Sequence, residues 1–194
     1  MSATATAGSA PVIDVATRPA IAPGYHVRTQ VSTRIEASPS AFFDWYMTLP
    51  IETFMLAGRV VTAVSGTTDS AGSVWGEKLS SRTVHFTDGT AASEAIVKID
   101  LPEGYEYQVW DFTGAVKFLA DYGLAAMSST DVDASAKAFT LVWDYAFKPK
   151  NIFTRPLTYA LIHADWTRTM QRAADGLAAH VSAHGATGIP NLKS

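Results

Sequence analysis

The chain has 194 residues, of which 47% are hydrophobic and 17% charged, with a formal net charge of −3. This composition supplies a substantial apolar core and excludes a disordered polyelectrolyte, and the weak negative charge offers no field for nucleic acid or for stable attachment to an anionic membrane. Cysteine is absent, which removes disulfides, thiolate nucleophiles and cysteine metal sites together, and no apolar run approaches the roughly 20 residues that span a bilayer.

Residues 1–24 are rich in Ala, Thr, Ser, Pro and Gly, with no sustained period of 2 or 3.6. They also lack the basic and apolar regions of a secretory leader. They are expected to form a disordered tail on a cytoplasmic protein, with a second flexible tail at 185–194. One domain, 25–184, lies between them without a linker-like break. Val27, Thr29, Val31, Thr33 and Ile35 alternate with polar residues, the signature of a strand with one buried face. Ser38 is a natural N-cap and Pro39 a natural first helical residue; Phe42, Phe43, Tyr46 and Leu49 follow as an apolar stripe. A second short helix is expected over 51–58, closing at Gly58, and a strand over 59–67.

Asp88-Gly89 between two strand-like runs predicts a hairpin. With those two as the turn, Phe86 faces Ala91. Arg82, Val84 and Phe86 then share a face with Ala91, Ser93, Ala95, Val97 and Ile99, while Glu94 falls on the other. Strands are also expected at 105–112, whose parity leaves its orientation open, and at 118–130. In the last strand Phe139, Leu141, Trp143, Tyr145 and Phe147 lie on one face. Beyond Pro149 the period becomes 3.6, and Ile162, Trp166, Met170, Ala173, Leu177 and Val181 make one stripe of a long helix ending before Gly185. The predicted class is α+β: a curved antiparallel sheet of six or seven strands wrapped on a long C-terminal helix, with two short helices after the first strand.

In element order, and in the segments VSTRIEASPSAFFDWY, SSRTVHFTDGTAASEAIVKIDLPEGYEYQV and AFTLVWDYAFKP, the chain resembles the polyketide cyclase/dehydrase branch of the START and birch-pollen-allergen-like superfamily, the helix-grip fold. The resemblance covers residues 25 to about 183. It implies an apolar cavity between sheet and helix that receives a hydrophobic or aromatic small molecule. The superfamily includes cyclases, lipid carriers and hormone receptors, so fold alone does not name the activity. If the chain is catalytic, the resemblance implies cofactor-free cyclisation, dehydration or isomerisation of a polyketide-like carbonyl compound. The alternatives are a non-catalytic carrier or sensor of hydrophobic ligands, and a module whose interior is filled by its own side chains. The expected form is a monomer or homodimer.

The candidate residues follow from both lines. No nucleotide loop, zinc-protease helix or serine-hydrolase elbow is present, so no cofactor is expected. Arg82 is a cation on an oily wall and needs a carboxylate or a ligand oxygen; the resemblance implies contact with ligand carbonyls. Tyr145 is a neutral donor for a carbonyl. Asp121 and Tyr122 have opposite parity, so one is expected to point inward; an inward Asp121 is a counter-charge to Arg82 or a general base, and the alternative, the commoner one, is an exposed edge aspartate. Val84, Phe86, Tyr107, Trp143, Trp166 and Met170 are expected to line the ligand, with Tyr46 at one end. His163, one turn before Trp166, is spaced to face the sheet, either as an acid or base or, more usually for such a residue, as a hydrogen-bonded packing histidine. His180 and His184 are spaced for a shared metal, but no third ligand accompanies them, so no metal site is assigned.

Overall fold

The computed structural model describes residues 17–184. The expected tail at 185–194, and residues 1–16 of the one at the N-terminus, lie outside the described residues. Chain order begins with β1 (Val27–Ile35), α1 (Pro39–Tyr46), a 3-10 turn (Ile51–Thr53), β2 (Val64–Asp69), β3 (Ser81–Phe86) and β4 (Ala91–Asp100). After these come β5 (Gly104–Trp110), a second 3-10 turn (Ala115–Phe118), β6 (Ala120–Thr130) and β7 (Phe139–Pro149). A helical rod completes the domain: α2 (Arg155–Leu161), a π-helical turn (Ile162–Trp166) and α3 (Thr167–His184).

All seven described strands form one antiparallel sheet in the order β1-β7-β6-β5-β4-β3-β2. Short turns make sequential neighbours of β2 through β7, whereas β1 closes onto β7 at the far edge. The segment from β1 to β2 must therefore cross the width of the sheet, and it carries α1 along that path. Ser38 starts α1 as its sequence suggests, its Oγ accepting the Ala41 N–H at 3.2 Å, a cap worth about 1 kcal/mol. The expected second helix shrinks to the three residues of the 3-10 turn, and β2 begins at Val64 rather than 59. Residues 58–63 form a loop instead.

The Asp88-Gly89 hairpin differs from expectation by one residue. The Phe86 N–H donates to the Thr90 carbonyl and the Gly89 N–H to the Phe86 carbonyl, so the loop is the three residues Thr87-Asp88-Gly89. Gly89 takes φ +80, the left-handed residue that ends a type I turn in this loop class. Val84 consequently pairs with Ala92 and Arg82 with Glu94. Glu94 shares the face of Arg82, and Ser93 and Ala95 go to the opposite one. A bulge between Ile96 and Lys98 then lets both Ile96 and Ile99 reach the core.

The inner face of the sheet and the rod enclose the main core, which includes Val31, Ile35, Leu141, Met170, Leu177 and Val181. The outer face carries a smaller cluster of Ala95, Trp110 and Tyr122. Residues 17–24, which fell within the expected tail, lie against that outer face. The Gln108 side chain donates to the Pro19 carbonyl at 2.9 Å, the Tyr122 hydroxyl accepts the Ala22 N–H at 2.9 Å, and Lys148 donates to the Pro23 carbonyl at 3.2 Å. Beneath them Trp110 is completely buried. Among the described residues no helix is long and apolar enough to cross a membrane.

Candidate functional site

A hollow exists because the rod does not cover the whole sheet. α3 packs on β1, where the Thr29 and Thr167 hydroxyls meet at 2.7 Å. The inner faces of β3, β4 and β5 are left to be roofed by the π turn and by residues 51–62. Between them lies a cavity of about 200 Å³.

Its walls are mostly apolar, and aromatic rings make up about a third of the lining. Trp166 meets Tyr145 and Phe147 edge-on, with ring centres 5.1 and 5.9 Å away, and Tyr145 stacks on Phe147 at 4.6 Å. Room for the Tyr145 ring comes from β6, where a Cβ on Gly123 would fall 2.6 Å from a ring carbon. Deeper in, the Trp143 indole N–H donates to the Tyr107 hydroxyl at 3.0 Å, and the Tyr105 hydroxyl donates to that of Tyr46 at 3.3 Å.

One ion pair stands among these rings. Arg82 Nε donates to Glu94 Oε2 at 2.7 Å, with the two side chains 9% and 5% exposed. The guanidinium also lies 3.5 Å from the ring centre of Trp75, a stacking that a planar delocalised cation favours. Burial pushes the Tyr46 phenol up to about 12 and holds Tyr105, Tyr107 and Tyr145 well above the ordinary tyrosine value of 10.0. The negative charge of Glu94 adds to the rise in all four. These tyrosines are therefore neutral hydrogen-bond donors near neutral pH, gathered around one carboxylate.

The mouth is fastened from the helix side. Asp165, in the π turn, is buried, and its carboxylate accepts the N–H groups of Arg59, Val60 and Val61 at 2.7, 2.8 and 2.7 Å. Desolvation pushes this carboxyl up, but the three N–H groups and the charge of Arg172 outweigh it and hold its pKa below the usual aspartate value. Arg172 also donates to the Ala57 carbonyl at 2.9 Å. The backbone comes this close because residue 58 is glycine: a Cβ there would sit 2.5 Å from an Asp165 oxygen.

Most of the candidates converge on this space. Arg82, Tyr145, Val84, Phe86, Tyr107, Trp143, Trp166 and Tyr46 all line the cavity. Three do not. A bulge between Ala120 and Tyr122 turns Asp121 into solvent, where it pairs with Lys150 at 3.4 Å, and sends Tyr122 to the outer face, so neither points inward. His163 is exposed against Tyr159 because its neighbour Ile162 takes the inward position. Met170 is fully buried in the core, beyond the cavity wall. The pattern hid Glu94, although a glycine ending the turn was the available clue, and it gave no sign of the Asp165 clamp. Among the described residues no cluster of His, Asp and Glu could hold a metal.

No protein-family model matches the chain, and no curated protein matches it in sequence. Solved structures do. Major latex-like protein 151 from Panax ginseng superposes with a TM-score of 0.59 at 15% identity, over 81% of this chain and 98% of that one. Norcoclaurine synthase from Thalictrum flavum, in complex with dopamine and hydroxybenzaldehyde, gives 0.58 at 13%, over 87% and 99%. The protein XoxI from Bacillus cereus gives 0.55 at 14%, over 78% and 95%. A seven-stranded sheet, a gripping terminal helix and these likenesses lead to one assignment: the chain has the birch-pollen-allergen-like helix-grip fold.

Proposed function

We propose that the protein encloses a small hydrophobic molecule, aromatic in character, in the cavity between sheet and rod. The observation that carries this reading is the buried Arg82–Glu94 pair on a mostly apolar wall rich in aromatic rings. A buried ion pair is a poor source of stability compared with packed apolar side chains, so its presence on the wall of a hollow is better explained by a ligand. The dopamine and hydroxybenzaldehyde held by norcoclaurine synthase agree with such a cargo.

The same pair favours a second reading, in which the bound molecule is transformed. Glu94 Oε1 would take a proton from the carbon beside a carbonyl, while Tyr145 and Arg82 stabilise the enolate oxygen that forms. The proton would then pass to a departing hydroxyl as water leaves. This is the cofactor-free dehydration that the resemblance to polyketide cyclases implies.

One experiment tests both. Native mass spectrometry of purified protein should show a bound small molecule, and Arg82→Ala should lower its occupancy at least tenfold while circular dichroism stays unchanged. An added carbonyl compound released with unchanged mass and chromatographic retention indicates a carrier; release as an isomer or lighter by one water indicates catalysis. A variant that unfolds without any ligand having been held by the parent would refute the reading and make Arg82 a structural residue.

A further inference from the structure

Resting on the cavity reading above, we infer that the occupant is a neutral aromatic compound of a single ring bearing a carbonyl and a hydroxyl group. It is neither a long acyl chain nor a polycycle. Size makes the first cut. A cavity of 150 Å³ accepts benzene, whereas drug-sized ligands occupy about 300–1,000 Å³. At about 200 Å³ the hollow has room for a substituted ring and little more.

Polar groups on the wall make the second cut. Glu94 uses Oε2 for Arg82, and its Oε1 has no hydrogen-bond partner among the described residues. The two terminal nitrogens of Arg82 and the Tyr145 hydroxyl are likewise without a partner within the described protein. Tyr107 accepts from Trp143 and keeps its own proton to give. On the rod, the buried indole N–H of Trp166 has no partner. A buried hydrogen bond left unmade, as at Trp166, costs about 1–3 kcal/mol, and the other free groups belong to residues that line the hollow, so the fitting ligand answers the inventory: several donors seek an acceptor, and one carboxylate oxygen seeks a donor. A ring carbonyl supplies the first and a phenolic hydroxyl the second.

Charge makes the third cut. The guanidinium already neutralises Glu94 and would repel an ammonium group beside it, and the other carboxylate on the lining, Asp88, is exposed on the hairpin turn and occupied by the Thr90 N–H and hydroxyl. A neutral phenol is therefore preferred over an aryl-ethylamine of the same size.

Calorimetric titration of the full chain with five probes tests this. The expected result is that 4-hydroxyacetophenone binds, that acetophenone binds at least tenfold more weakly, and that tyramine, the tricyclic emodin and palmitate show no heat of binding. In Glu94→Gln the gap between the first two probes should shrink below threefold. Should that variant not fold, the parent series alone decides. If acetophenone, emodin or palmitate matches 4-hydroxyacetophenone, or tyramine surpasses it, the assignment of ligand class is overturned while the cavity remains a binding site. If none of the five binds, the cavity reading falls with it.

Discussion

Gly123 shows how a single missing methyl group shapes the site. Its Cα faces the Tyr145 ring so closely that an added Cβ would lie 2.6 Å from Cε1 and 3.0 Å from the hydroxyl oxygen. In Gly123→Ala the ring must swing off the sheet, and the open direction is the cavity. Overpacking of this kind costs about 1–3 kcal/mol. The expected outcome is a lower melting temperature together with weakened ligand binding, read by thermal scanning and calorimetry; a variant that loses stability yet binds normally would mean the ring moves elsewhere. Arg82 offers the contrasting case. Its inward direction was legible from alternation in β3, because the parity of a short strand survives uncertainty about its ends. Its partner was not legible, because one residue more in the turn reverses the facing of the whole next strand.

Among the elements, the π turn has the largest structural effect for its length. Five residues, Ile162–Trp166, direct Ile162 into the core, Trp166 over the cavity and Asp165 onto the loop that rims it. Periodicity showed the apolar stripe of the rod well. It could not show Asp165, since an acidic residue beside a stripe reads as solvated surface until a loop brings three N–H groups to it. Asp165→Ala is expected to cost about 2 kcal/mol, the scale of a charged hydrogen-bond set partly recovered by water, and to raise protease cleavage within 57–62. Acid should mimic the substitution. The folded carboxyl titrates below the ordinary aspartate value of 3.8, so the clamp contributes its full stability above that value and loses it as the pH falls through the lower folded value. Amide exchange at Arg59–Val61, followed from neutral pH downward and corrected for intrinsic rates, should accelerate only below about 3.8; constant protection to lower pH would show that Asp165 does not hold the loop.

At the scale of the whole molecule the sheet is covered on both sides, by the rod within and by residues 17–24 without. That second cover was illegible in the sequence because its bonds run through main-chain groups of Pro19, Ala22 and Pro23, which no side-chain pattern marks. Removing residues 1–24 should expose Trp110 and Tyr122 and cost about 2 kcal/mol, a fall of roughly 4–8 °C in melting temperature for a chain of this length. An unchanged midpoint would show that the segment adds nothing to stability. The succession of elements along the chain, the antiparallel sheet and the gripping helix, by contrast, were readable in advance, since alternation, turn residues and the change to a 3.6 period all agree.

The placement of the indoles gives the molecule its own optical gauge. Trp143 and Trp166 border the hollow, whereas Trp110 sits on the opposite side of the sheet. A guest therefore alters the surroundings of one set of emitters and spares another, so the protein carries both signal and internal standard without a dye.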